Sequence, residues 1–445
     1  MRHAAKIASS LALAYIAAGA AGCTSQGGGS DDNPFLSDLS DDGKEDSAYM
    51  NPDGIEVEVD LEGDVEGPDY RLKDAPAEIG QFALTFFRKQ EKMFIESLAE
   101  DATTTNRAEW LVNGTWYTAD RVPAGSTLKH WRLKSLNTVL LFDASHGVEV
   151  GTQFIAKVPL KPFSVFTDAQ KTCADDDDHI GLDQSVYWYR WEPEQTSCKI
   201  PLQDLKVTVS KKFSTTTSTV YPEYDQLMAD KKVTMVVLFG EIDDGPITEN
   251  ETGMRNFKRF GSWLSGAGFT KASTAPLGQR YSKKLGNGTT VEIDLYSPRE
   301  FSGLGDFSHF NNFQKALSEH EVIAYDGHSM LGASDFWARP TYPSFYQIFL
   351  YGGCLGYEYY VKPILHGKGD SWAKLDIMSS VVEVSADANM FAGPAIAKLI
   401  YGLEHNGRSS WRNILTTVRT NVGDSTFGVS GVRENCFTPN GTRCH

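Results

Sequence analysis

The stretch Val322-Ile-Ala-Tyr-Asp-Gly-His-Ser329 decides how the C-terminal half of this 445-residue chain is read. Its opening residues are apolar without alternation, which predicts a short strand buried on both faces. Glycine at 327 marks where that strand gives way to a loop. Tyr346-Gln-Ile-Phe-Leu-Tyr351 is a second such run, and it leads into Gly352-Gly353-Cys354-Leu355-Gly356. Working outward, Val233–Phe239 is a continuous apolar strand, Thr290–Tyr296 another, and Val382–Ser385 a short further one. Between and after them, Met254–Ala267, Phe310–Ser318, Pro394–Leu403 and Trp411–Val422 carry helical spacing. Strands alternating with helices predict an α/β domain over residues 225–434, with a mostly parallel sheet covered on both faces.

Reactive groups in open parallel sheets gather beyond the carboxyl ends of the strands. His328 and Cys354 each follow such an end, 26 residues apart, which is one strand-to-strand connection. If the two strands are neighbours, an imidazole and a thiol share one crevice. A His–Cys pair activates a nucleophile when imidazole takes the thiol proton and thiolate attacks a carbonyl. Gly327 and Gly353 beside them leave backbone N–H groups open to a substrate oxygen. Asp243 and Asp244, after the first strand, fall on the same edge, where they are candidates for recognising a basic substrate group or are solvated turn residues.

Asp326-Gly327-His328 after one strand, and Gly353-Cys354 with Gly356 nearby after the next, resemble the caspase-like clan of cysteine peptidases, which includes gingipains, separases and CHAT-type domains. The resemblance extends over residues 230–434 and departs at Ser329, where the clan usually has glycine. It implies a caspase-like sheet, Cys354 as nucleophile and His328 as general base and acid. It also implies backbone N–H groups of Ser329 and Cys354 as oxyanion donors, a peptide or protein substrate, and no cofactor. Two other readings compete. One is a non-catalytic binding protein on the same scaffold. The other is a serine α/β-hydrolase whose nucleophile elbow is Gly327-His328-Ser329, although that tight turn needs a small residue where Leu331 stands.

Residues 55–224 have a different grammar. Ile55-Glu-Val-Glu-Val-Asp-Leu61 alternates apolar and acidic residues, predicting an edge strand. A helical stretch over 78–100 is followed by β-like runs such as Thr138–Phe142 and Val186–Trp191, separated by Gly, Asn and Asp turns. A β-rich accessory domain is expected.

The N-terminus begins with Arg2, His3 and Lys6, then an apolar run from Ile7 to Ala18. That is too short for a membrane core needing about 20 residues, and it has the form of a secretory signal. Ala20-Ala21-Gly22-Cys23 resembles the bacterial lipobox. The resemblance implies that residues 1–23 are a lipoprotein signal, that Cys23 receives the lipid, and that the protein sits in the cell envelope outside the cytoplasm. Thr24 after the Cys suggests the outer membrane. Residues 24–69 hold 15 acids against Lys44 alone, so most of the formal charge of −16 lies there. Acids among Gly and Ser over 24–54 predict an extended, self-repelling tether. The remainder is nearly balanced and has no basic stripe, which argues against nucleic acid as a partner.

An exported chain favours disulfides. Cys173 and Cys198 flank a polar loop, and Cys436 and Cys444 flank a Pro439-Asn440-Gly441 turn in a short tail over 435–445. These pairings leave Cys354 unpaired. No metal site is assigned. Asp175–Asp178 and His179 lack EF-hand spacing, and His366 and His405 have no partner at ligand spacing.

Overall fold

The computed structural model describes residues 49–442 apart from 91, 96–106, 169–171, 175–190, 214–218, 330–333, 383, 385–390 and 424–425. Cys23, Cys444, Asp175–Asp178 and His179 lie outside the described residues, as does most of the expected strand over 186–191. The described strands are β1 (Tyr49–Met50), β2 (Gly54–Asp64), β3 (Met93–Ile95), β4 (Glu109–Val112), β5 (Thr115–Thr118), β6 (His130–Leu141), β7 (Gln153–Pro159) and β8 (Leu202–Lys212). After them come β9 (Lys232–Phe239), β10 (Thr270–Lys271), β11 (Gln279–Lys284), β12 (Thr290–Tyr296) and β13 (Val322–Asp326). The chain ends with β14 (Gln347–Tyr351), β15 (Leu375–Ser380), β16 (Phe427–Ser430), β17 (Phe437–Thr438) and β18 (Gly441–Thr442).

The C-terminal half is built on a nine-stranded mixed sheet in the order β1-β16-β15-β14-β13-β9-β12-β11-β10. The five strands β15-β14-β13-β9-β12 run parallel. The four outer pairings, β1-β16, β16-β15, β12-β11 and β11-β10, are antiparallel. The expectation of a mostly parallel sheet is therefore corrected: the fold is mixed α/β, and antiparallel pairing prevails among the described strands. Parallel neighbours need a long crossover, whereas antiparallel ones need only a turn. The turn between β11 and β12 is such a short return, with Gly288 at φ +90°.

Every residue of β13 and β14 is buried, including the polar Asp326 and Gln347 at their ends. Helices flank the sheet close to their expected bounds, among them Thr252–Gly266, Phe310–Glu319, Ala392–Glu404 and Trp411–Val422. The last of these starts on a reciprocal capping box between Ser410 and Asn413 and stops at Gly423, φ +88°. Glu383 and Ser385 of the strand expected at Val382–Ser385 lie outside the described residues, and the strand that pairs with β14 is β15, Leu375-Asp-Ile-Met-Ser-Ser380, just upstream. Its buried Asp376, Ser379 and Ser380 disguise a core strand as a polar segment.

The N-terminal half forms a seven-stranded sheet, β5-β4-β6-β2-β8-β7 with β3 also on β6. All its pairings are antiparallel. The strand expected at the edge, β2, is instead interior, between β6 and β8. Its apolar side chains Val57, Val59 and Leu61 are buried. Glu58 and Glu62 on the other face meet Lys211 and His130, so the acids are accommodated by partners rather than by an open edge. The helix Ala75–Lys89, with Pro76 in its first turn, buries Phe82 against Trp191 with ring centroids 4.8 Å apart. Cys173 and Cys198 are joined by a disulfide, as expected.

The two halves share contacts. β1, at the end of the stretch expected as a tether, pairs with β16 and so belongs to the C-terminal sheet. Tyr357, three residues after Cys354, donates its hydroxyl to Glu56 Oε1 at 2.6 Å and accepts from Asn137 Nδ2 at 2.8 Å. Its ring lies 4.6 Å from that of Tyr49. Tyr357→Phe withdraws one partner from each of two accessory-sheet residues, and a loss of about 2 kcal/mol is expected, read from the denaturation midpoint. A shift too small to resolve would mean that this hydroxyl does not hold the halves together. The tail is also docked: Glu223 accepts the backbone N–H groups of Cys436 and Phe437, and Asn435 reaches Tyr221 O and Asp376. Cys436 is itself disulfide-bonded.

Candidate active site

β13 and β14 are adjacent and parallel, with Tyr325 opposite Tyr351 as their last paired rung. His328 and Cys354 each lie three residues beyond that rung, on strands about 4.8 Å apart. Both are partly exposed, at the carboxyl edge of the sheet. Cys354 forms no disulfide.

On the other side of β13 lies the loop that follows β9. His328 Nε2 is 2.9 Å from the carbonyl oxygen of Ile242. A carbonyl only accepts, so Nε2 carries the proton, and in neutral imidazole the accepting nitrogen is then Nδ1. The loop is itself pinned. Gly240 N donates to Asp326 O at 2.8 Å and Glu241 N to Ser302 O at 2.7 Å. Buried Glu251, the N-cap of the helix Thr252–Gly266, accepts from Ile242 N at 2.7 Å and from Asp243 N at 3.3 Å. The same carboxylate also accepts from Gly253 N and Met254 N. Asp243 answers by accepting from Thr252 N and Thr252 Oγ1 at 2.8 and 2.7 Å. Of the two acids expected on this edge, Asp243 thus clamps the helix start, while Asp244 is exposed. Partly buried Glu241 has its carboxyl raised above the ordinary range by burial and by its neighbours Glu251, Asp244 and Asp306, with His328 pulling the other way.

Ser329 ties the two strand ends together. It is buried, its Oγ donates to the carbonyl of Cys354, and it accepts from Tyr351 Oη at 3.2 Å. Tyr360 Oη donates to the Ser329 carbonyl, and Tyr325 Oη to that of His328 at 2.6 Å. A hydroxyl so enclosed is badly placed to attack a substrate, which weighs against Ser329 as a nucleophile. These contacts explain the glycines. A Cβ on Gly353 would stand 2.6 Å from Ser329 Oγ, and one on Gly327 would stand 2.5 Å from Tyr325 Oη.

After Cys354 the chain turns sharply, with Leu355 at φ +55° and its N–H on Val382 O at 3.0 Å. The thiol of Cys354 faces Val384 O at 3.9 Å. Sequence reasoning passed over Glu241, the Ile242 carbonyl and Glu251. A carbonyl has no residue signature, and Glu is not among the side chains that usually mark a helix N-cap.

Among the described residues no group of three or more His, Cys, Asp or Glu is placed to hold a metal ion, and no helix is long and apolar enough to cross a membrane. His366 contacts Asp370, and His405 stacks on Tyr401 with centroids 4.0 Å apart. Compared with protein-family models, curated proteins and solved structures, the chain matches none.

Proposed function

We propose that this chain is a lipid-anchored protein of the cell envelope, outside the cytoplasm, whose C-terminal half is a caspase-like cysteine peptidase domain. Cys354 is the nucleophile and His328 the general base and acid. His328 Nδ1 takes the thiol proton, the thiolate attacks the peptide carbonyl, and the proton returns to the leaving amine. Water then hydrolyses the acyl-enzyme. Backbone N–H groups of Ser329 and Cys354, on strand ends kept close by Gly327 and Gly353, receive the developing oxyanion. Asp244 and Glu241 favour a basic group near the scissile bond. The observation that carries this reading is the shared offset of His328 and Cys354 beyond one rung of neighbouring parallel strands.

A peptide acyloxymethyl ketone library with varied P1 residues tests it. Attachment to Cys354, located by mass spectrometry, is expected with at least one P1 class and is expected to be lost in Cys354→Ser. Failure of every probe, alongside slow labelling by iodoacetamide, would leave the second reading. That reading is a non-catalytic, lipid-tethered binding protein on a caspase-like scaffold, and the direction of the Cys354 thiol towards Val384 O favours it.

A further inference from the structure

The histidine of the proposed pair is held by a backbone carbonyl, and that carbonyl belongs to a loop with little secondary structure of its own. Residues 240–243 leave β9 and are fastened at several points. Two of these are ordinary backbone bonds, from Gly240 to β13 and from Glu241 to Ser302. Asp243 adds a side-chain clamp on Thr252, and the fastening that reaches Ile242 comes from one further side chain. Glu251 is 4 % exposed, and its carboxylate accepts four backbone N–H groups, two from the loop and two from the first helical turn. A buried carboxylate that accepts several N–H donors is held in one geometry. The fit is close from behind as well: a Cβ on Gly253 would stand 2.0 Å from the Gly240 carbonyl. The Ile242 N–H is bound to Glu251 while the Ile242 C=O accepts from His328. The same residue is therefore grasped on one side and used on the other.

We infer that Glu251 is a positioning residue for His328: by grasping Ile242 it aims the carbonyl that keeps the proton on Nε2 and leaves Nδ1 as the accepting nitrogen. The inference rests on the proposed His328–Cys354 pairing. Glu251 touches neither substrate nor thiol and acts through the loop. When the thiol proton moves to His328 the imidazole becomes a cation, and the Ile242 carbonyl stays opposite its Nε2–H. Loosening the loop removes this orientation and stabilisation together, so less thiolate is present at a given pH. Asp243, which closes the clamp on Thr252 from the loop side, supports the same geometry more weakly because it is exposed.

The test is the pH profile of Cys354 alkylation by iodoacetamide on the full chain, with Cys354→Ser defining the background. Glu251→Gln is the main variant. Asp243→Asn, on the exposed side of the clamp, decides the matter if Glu251→Gln does not fold. The expected result is an alkylation midpoint moved towards the ordinary thiol value of about 8.5. At pH 6.5 the expected slowing is about tenfold for Glu251→Gln and about threefold for Asp243→Asn. Profiles that superimpose on the wild type, even with a lower melting temperature, would make Glu251 a structural cap only and overturn the inference. If His328→Ala also retains the wild-type profile, the pairing itself fails, and that result is distinct from failure of Glu251 alone.

Discussion

Alanine at His328 is expected to lower kcat/KM for the best peptide substrate about a thousandfold, and alanine at Cys354 to abolish hydrolysis. At neutral pH an unassisted thiol is only a few per cent thiolate, so removing the base that accepts its proton slows attack. It also removes the acid that protonates the leaving amine. Both losses fall on the transition state, so kcat is expected to fall and KM to change little. Ser329→Ala separates the two enzyme readings. Its hydroxyl is engaged with the Cys354 carbonyl and Tyr351, so its removal is expected to disturb alignment and slow hydrolysis by about tenfold at most. Loss of all activity in Ser329→Ala, with Cys354→Ala active, would instead make the protein a serine hydrolase.

The largest effect on stability is expected at Asp376, at the opposite end of the sheet from the site. Its Oδ2 accepts from Tyr346 Oη at 2.6 Å, Trp411 Nε1 at 2.8 Å and Asn435 Nδ2 at 2.7 Å. These donors come from the segment before β14, from a helix and from the tail, so one carboxyl joins three distant parts of the chain. Asp376→Ala leaves three buried donors without this acceptor, and about 4 kcal/mol of destabilisation is expected. Burial pushes the Asp376 carboxyl up to about 7, against the three hydrogen bonds that pull it down. A folded value above the unfolded one means that the folded state holds a proton the unfolded state releases. The contribution of this group is therefore fully present below pH 4 and declines as pH rises from about 4 to about 7. Denaturation midpoints across that window are expected to fall less steeply in Asp376→Asn than in the wild type. Equal slopes would exclude Asp376 as the source of the dependence.

Much of the α/β half was legible because its central strands are buried on both faces. Val322–Tyr325 has Tyr325 alone with a polar side-chain atom, Val233–Phe239 only Thr234 as a polar residue, and Thr290–Tyr296 keeps Val291, Ile293 and Leu295 apolar between Thr290, Glu292 and Asp294. The flanking helices keep one apolar stripe. The elements that escaped notice are those whose polarity is answered elsewhere. β15 contains Asp376, Ser379 and Ser380, acceptable in a core because partners arrive from afar. β11, Gln279-Arg-Tyr-Ser-Lys-Lys284, reads as surface, yet Arg280 forms a paired contact with buried Asp294 on β12 at 2.7 Å through both Nε and Nη2. β2 misled in the other direction, since alternating acids suit an edge until Lys211 and His130 arrive opposite them.

Local chemistry alone specified that an imidazole and a thiol each follow a buried strand flanked by glycine, that Cys173 and Cys198 suit a disulfide, and that a β-rich segment precedes an α/β one. Which strands are neighbours, in what register, and which outer ones run backwards depended on hydrogen bonds between residues far apart in the chain. The same holds for the Ile242 carbonyl opposite His328, for the burial of Ser329, and for Tyr357 reaching the accessory sheet. A side chain's type is written in the sequence, but its partner is chosen only when loop closure and burial bring distant segments together.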